Sequence, residues 1–94
     1  MRLVGKQKLN EFGRRHADIR APLNAWIDEV EDAEWRGPAD VRARYPGASF
    51  LSDNRVIFNI KGNKYRIETK ISYDVKVVLA TWVGTHAEYS KRQF

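Results

Sequence analysis

The 94 residues carry 17 Lys and Arg against 12 Asp and Glu, a net charge of +5, and no cysteine. A chain of this length is expected to form one domain, residues 1–94, around a single small core. The missing cysteines exclude a disulfide framework, a thiolate metal site and a Cys nucleophile, and they accord with a reducing, cytoplasmic setting.

His16 and His86 are the only two histidines, and they fall at no recognisable zinc spacing with carboxylates, so neither metal nor cofactor is expected. No apolar run approaches 18 residues and no signal-like start is visible, so no membrane partner is expected. Charge is arranged in blocks. Residues 1–16 hold Arg2, Lys6, Lys8, Arg14 and Arg15 against Glu11 alone, whereas residues 17–36 set six acids against Arg20 and Arg36. Residues 55–76 are basic again, through Arg55, Lys61, Lys64, Arg66, Lys70 and Lys76. A polyanion would prefer this last block and be repelled by the middle one.

In chain order, Met1–Val4 is a short apolar start compatible with a strand. Lys6–His16 places Leu9 and Phe12 three apart among helix formers, which predicts a short amphipathic helix. Asp18 is positioned to cap a second helix, and His16 to cap the carbonyls ending the first. Ile19, Leu23, Trp26, Ile27, Val30 and Ala33 then recur at helical spacing, with Asp28, Glu29, Glu31 and Asp32 on the other side. Acids late in a helix oppose its macrodipole, which suits them to docking a partner. Arg36-Gly37-Pro38 breaks this helix, and Pro38 suits the first position of another running to about Arg44.

From Val56 the period changes to two. Val56, Phe58 and Ile60 alternate with Ile57 and Asn59; after a turn over residues 61–64, Tyr65, Ile67, Thr69 and Ile71 alternate with Arg66, Glu68, Lys70 and Ser72. A further turn leads to Val75–Val83. There Val78, Ala80 and Trp82 fall on one alternation and Val75, Val77, Leu79 and Val83 on the other, the pattern of a central strand covered on both sides. Helices first and an antiparallel meander second predict an α+β domain with the helical layer on one sheet face.

This pairing carries a chemical expectation. The end of the last strand lies beside Tyr65 and Arg66, and the spacing Thr85-x-x-Glu88 reads as a capping box that gives His86 and Tyr89 a shared direction. Cleavage of a phosphodiester by its 2′-hydroxyl needs proton transfer at two oxygens and cations for the charge on phosphorus. Histidine is the residue type that can serve as either base or acid, which makes His86 the proton-transfer candidate; Arg66 offers a planar fork for phosphate, and Tyr89 stacks or donates a hydrogen bond. Lys61, Asn63, Lys64 and Lys70 complete a basic RNA-binding margin. Each also has an ordinary structural alternative: a solvated strand arginine, turn lysines, a surface histidine, an edge tyrosine. Only their convergence at one sheet end raises them above it. Asn59 reads as structural.

The run Asn54-Arg55-Val56-Ile57-Phe58-Asn59-Ile60-Lys61-Gly62-Asn63-Lys64-Tyr65-Arg66, with Gly84-Thr85-His86-Ala87-Glu88-Tyr89, resembles the HigB-type toxins of bacterial type II toxin–antitoxin systems. Trp35-Arg36-Gly37-Pro38-Ala39-Asp40-Val41 and Tyr45-Pro46-Gly47-Ala48 are similar to the same family's middle segment. The resemblance implies the RelE/ParE-like superfamily, with N-terminal helices packed on a mainly antiparallel β-sheet. It also implies an mRNA interferase acting on the ribosome and a helix-turn-helix antitoxin as partner. By position it makes Arg66 the strand arginine, His86 the proton-transfer histidine and Tyr89 the nearby tyrosine, with Lys61 and Lys64 matching less closely. A ParE-like, non-enzymatic inhibitor of gyrase is the alternative the superfamily offers, and a plain RNA-binding module is a third reading.

Overall fold

The computed structural model describes residues 1–92. Strand β1 (Arg2–Val4) leads into α1 (Lys6–Arg15), a 3-10 turn (Ala17–Ile19), α2 (Arg20–Asp32) and α3 (Pro38–Arg44). There follow β2 (Ser49–Phe50), β3 (Arg55–Ile60), β4 (Tyr65–Ser72), β5 (Val77–Thr85) and a short final helix, α4 (His86–Ser90). The sheet order is β1-β5-β4-β3-β2; β1 runs parallel to β5 and the other neighbours are antiparallel. This is the α+β arrangement that the change of period from helical to two predicted.

One face of the sheet holds the core. Leu9, Phe12, Ile19, Leu23, Trp26 and Val30 from the helices pack against Val56, Phe58, Ile67, Ile71, Val78 and Ala80 from the strands. Burying such side chains stabilises the fold by about 1.5–3 kcal/mol each. Pro38 stands at the start of α3, where its missing N–H costs nothing. Gly5, between β1 and α1, has φ +97°, and a Cβ there would lie 2.6 Å from the Ala80 carbonyl oxygen. Only glycine lets α1 leave the sheet edge so closely.

Two expectations are corrected and a third, on His16, is refined. Asp18 does not cap α2; it lies in the 3-10 turn, and its carboxylate is taken by the β3–β4 hairpin. His16 does close α1, but through its backbone N–H, which donates to the Phe12 carbonyl at 3.0 Å; the imidazole stacks on Phe12 at 4.1 Å and meets the edge of Tyr65 at 5.7 Å. The last strand starts at Val77 rather than Val75, because Lys76 adopts a left-handed φ of 59° in the preceding turn and Val75 stays exposed.

The strand's two-sided pattern also breaks. Ala80 pairs with Thr69 but Trp82 pairs with Glu68, so Thr81 is an extra residue in β5. The bulge moves Trp82 off the core face shared by Val78 and Ala80 and onto the opposite one. That opposite face carries no layer of long helices. Leu79 is 38% exposed on it, and the segment around α4 folds back across its upper part. Among the described residues no helix is long and apolar enough to cross a membrane.

Candidate functional site

The open face of the sheet gathers the candidate groups by register. Asn59 pairs with Arg66 and Arg66 with Gly84; Arg55 pairs with Lys70 and Glu68 with Trp82, so all of these share one face. Arg66 is half-buried. Its guanidinium lies 4.6 Å from the centre of the Tyr89 ring, and it forms no ion pair with any described residue. Its Nε–H is shielded from solvent and has no hydrogen-bond partner among the described residues. The acid on the same face, Glu68, pairs instead with Arg92 at 3.1 Å and accepts from the Thr81 hydroxyl at 3.2 Å. Among the described residues Arg66 thus keeps a positive charge without a carboxylate in a partly dry place, a setting that attracts an oxyanion.

Tyr89 reaches Arg66 because the chain turns sharply after β5. Thr85 Oγ accepts from the Glu88 N–H at 3.1 Å and the Glu88 carboxylate accepts from the Thr85 N–H at 2.8 Å. This is the reciprocal capping box read from the sequence. The Thr85 backbone bond, acting first, holds the Glu88 carboxyl below its ordinary value. The His86 N–H donates to the Lys64 carbonyl at 2.9 Å, which ties this turn to the β3–β4 hairpin. The His86 imidazole itself is exposed and has no side-chain partner among the described residues.

The hairpin lysines stand apart from Arg66. Lys61 Nζ and Lys64 Nζ lie 3.1 and 2.5 Å from Asp18 Oδ2, and the Tyr65 hydroxyl donates to Asp18 Oδ1 at 2.6 Å. These bonds, led by that from Lys64, hold the Asp18 carboxyl well below its ordinary value and raise Lys64 and Tyr65. Both lysines therefore point toward the helical layer, at the same end of the sheet as Arg66 but on its other side. Asn63 is exposed at the tip of the hairpin. Lys70 is exposed on the open face, four residues along β4 from Arg66, or about 13 Å at 3.3 Å per residue. Asn59 donates to the Gly47 carbonyl at 3.0 Å, the structural role expected of it.

The sequence reading missed Trp82, Glu68 and Arg92. The Arg92 guanidinium lies 4.4 Å from the centre of the Trp82 ring, and Trp82 and Tyr89 have ring centres 6.1 Å apart. Arg66, Tyr89, Trp82 and Arg92 thus form a run across the face in which two adjacent rings lie between two cations. The bulge hid Trp82, since alternation alone assigns it to the core. On the far side of the molecule, Asp28, Glu29, Glu31 and Asp32 line a shallow acidic concavity of about 410 Å³. Glu29 is engaged there by Arg44 and the Tyr45 hydroxyl, and Glu31 by Lys6 at 2.8 Å.

Residues 19–92 match a family model described as HigB_toxin, the RelE-like toxic component of a toxin–antitoxin system. No curated protein matches the chain.

Proposed function

The chain belongs to the HigB toxin family, the RelE-like toxic components of toxin–antitoxin systems, and on that premise we propose that it is an mRNA interferase. It acts as one toxin domain, residues 1–94, and it has an antitoxin partner. In this reading that antitoxin carries a helix-turn-helix DNA-binding domain, and the toxin works in the cytoplasm on mRNA held by the ribosome.

The observation that carries the reading is the state of Arg66, a half-buried guanidinium with no carboxylate partner among the described residues, set against Tyr89 on an open, cation-rich face. A phosphate oxygen supplies the missing charge and an acceptor. The reaction follows from RNA's own 2′-hydroxyl, which attacks the adjacent phosphorus as its proton is removed. The P–O5′ bond then breaks as that oxygen gains a proton, leaving a 2′,3′-cyclic phosphate and a 5′-hydroxyl. No metal is required, because the nucleophile is internal to the substrate and Arg66 stabilises the charge that builds on the phosphorane. His86 moves a proton at one of the two oxygens; its exposure leaves the imidazole free to meet substrate. Tyr89 holds the Arg66 plane and faces the same space. Lys70, Asn63, Lys61 and Lys64 form the outer RNA-binding margin, the two hairpin lysines while still bonded to Asp18.

The test is to add purified protein to ribosomes translating a defined mRNA and map new 5′ ends, with a gyrase supercoiling assay alongside. Cleavage with supercoiling intact is expected. Intact mRNA together with inhibited gyrase would replace this reading with a ParE-like one.

A further inference from the structure

Trp82 is placed where it is by two features that a core tryptophan would not need. The bulge at Thr81 turns it from the core face to the open face. Gly84, two residues on, leaves room for it: a Cβ on Gly84 would lie 2.5 Å from Trp82 Cη2 and Cζ2. The benzo end of the indole therefore occupies the space a side chain would fill beside Arg66, the cross-strand partner of Gly84. One planar group already stacks on this ring, the Arg92 guanidinium at 4.4 Å, and Tyr89 stands next to it at 6.1 Å. The surrounding face is basic, with Arg55, Arg66, Lys70 and Arg92 against Glu68.

A half-exposed indole held beside an arginine that forms no ion pair with any described residue, on a cationic face, has the chemistry that single-stranded RNA uses: stacking for the base and charge for the backbone. We propose that Trp82 is a nucleobase platform. A base of the RNA strand flanking the phosphate at Arg66 stacks on the indole, in the position the Arg92 guanidinium marks in the free protein. Gly84 is the positioning residue that keeps the ring low enough to receive it. This inference rests on the RNA reading of the site, and it concerns substrate recognition rather than the cleavage step.

The protein contains its own reporter. Trp26 is 2% and Trp35 6% exposed, both in the core, so a ligand stacking on the open face changes the fluorescence of Trp82 first. The experiment titrates the full chain with a 2′-O-methyl RNA hexamer, which binds but cannot be cleaved, and with an abasic phosphodiester of the same length. Wild type should bind the hexamer with quenching. Trp82→Leu should bind it about 5- to 150-fold more weakly, the range for losing one base–aromatic stack, and should bind the abasic strand as wild type does. Trp82→Phe should keep most of the affinity, which separates stacking from loss of fold. Gly84→Ala should weaken hexamer binding and leave abasic binding unchanged. Hexamer binding that is absent or unquenched in wild type, or that Trp82→Leu weakens equally for hexamer and abasic strand, overturns the platform. Because no strand here is cleaved, an inactive nuclease with intact, base-dependent quenching would refute the catalytic reading alone.

Discussion

Removing the Arg66 guanidinium should separate activity from stability cleanly. In Arg66→Ala the fold loses the stack on Tyr89, 4.6 Å from ring centre, worth about 0.5–1 kcal/mol at a partly exposed site. It also loses a shielded Nε–H with no partner, whose burial costs on the order of 1–3 kcal/mol. The second is the larger, a net of roughly 0–2.5 kcal/mol in favour of the variant, so the melting temperature should hold or rise, by roughly 4–8 °C for each kcal/mol in a chain of this size. Cleavage should respond very differently. A donor aimed at charge that develops only in the transition state is worth about 2–4 kcal/mol, or roughly 30- to 1,000-fold in rate. The loss should appear in kcat and be larger in kcat/KM, because Arg66 meets the phosphate in the ground state and holds the phosphorane more strongly. Arg66→Lys restores a point charge without the planar fork and should fall between alanine and wild type. The assay is single-turnover cleavage of a defined mRNA on programmed ribosomes, paired with a thermal melt. Cleavage at the wild-type rate by folded Arg66→Ala would refute the role of this arginine.

Three further outcomes are expected. His86→Ala should lower cleavage by about 10²- to 10⁴-fold, the usual worth of a positioned proton-transfer group, with RNA binding nearly unchanged; full activity removes the imidazole from the reaction. Thr85→Ala opens the capping box, and should cost about 1 kcal/mol of stability while lowering cleavage further than melting alone explains, because His86 and Tyr89 sit on that turn. An unchanged melting temperature would sink the capping argument. Asp18→Asn should change the acid side of the stability profile. The Asp18 carboxyl is held below its ordinary value of 3.8 in the folded protein, so its contribution is complete above about pH 5 and fades as pH falls through the lowered folded value. The gap between wild-type and Asp18→Asn urea midpoints should be constant near neutrality and shrink toward pH 2; a gap independent of pH would show that the hairpin bonds contribute nothing.

Local chemistry was legible because it repeats along the chain. The apolar stripe of α2, Pro38 at the start of α3, the turn at residues 61–64 and the Thr85–Glu88 capping box each state a conformation within a few residues. From them the antiparallel pairing follows, and with it the meeting of Arg66 with the segment carrying His86 and Tyr89. The two-residue β2 carries too little pattern to be read, and β1 gives no sign of its parallel partner.

Destinations of side chains across long separations were not legible. Asp18 looked like a helix cap because nothing local sets it against Lys61 and Lys64, more than 40 residues away, yet three donors in the hairpin outbid one backbone amide. Trp82 looked like a core residue because a period of two admits no irregularity, and a single extra residue at Thr81 reverses every face that follows it. The sequence by itself determined every longer element, their order and the types of group available for chemistry, but not the two-residue β2. The tertiary structure decided which face each group occupies, because register is set by pairing between strands. That register gathers Arg66, Trp82 and Tyr89 on the open face and gives the hairpin lysines to Asp18 on the other.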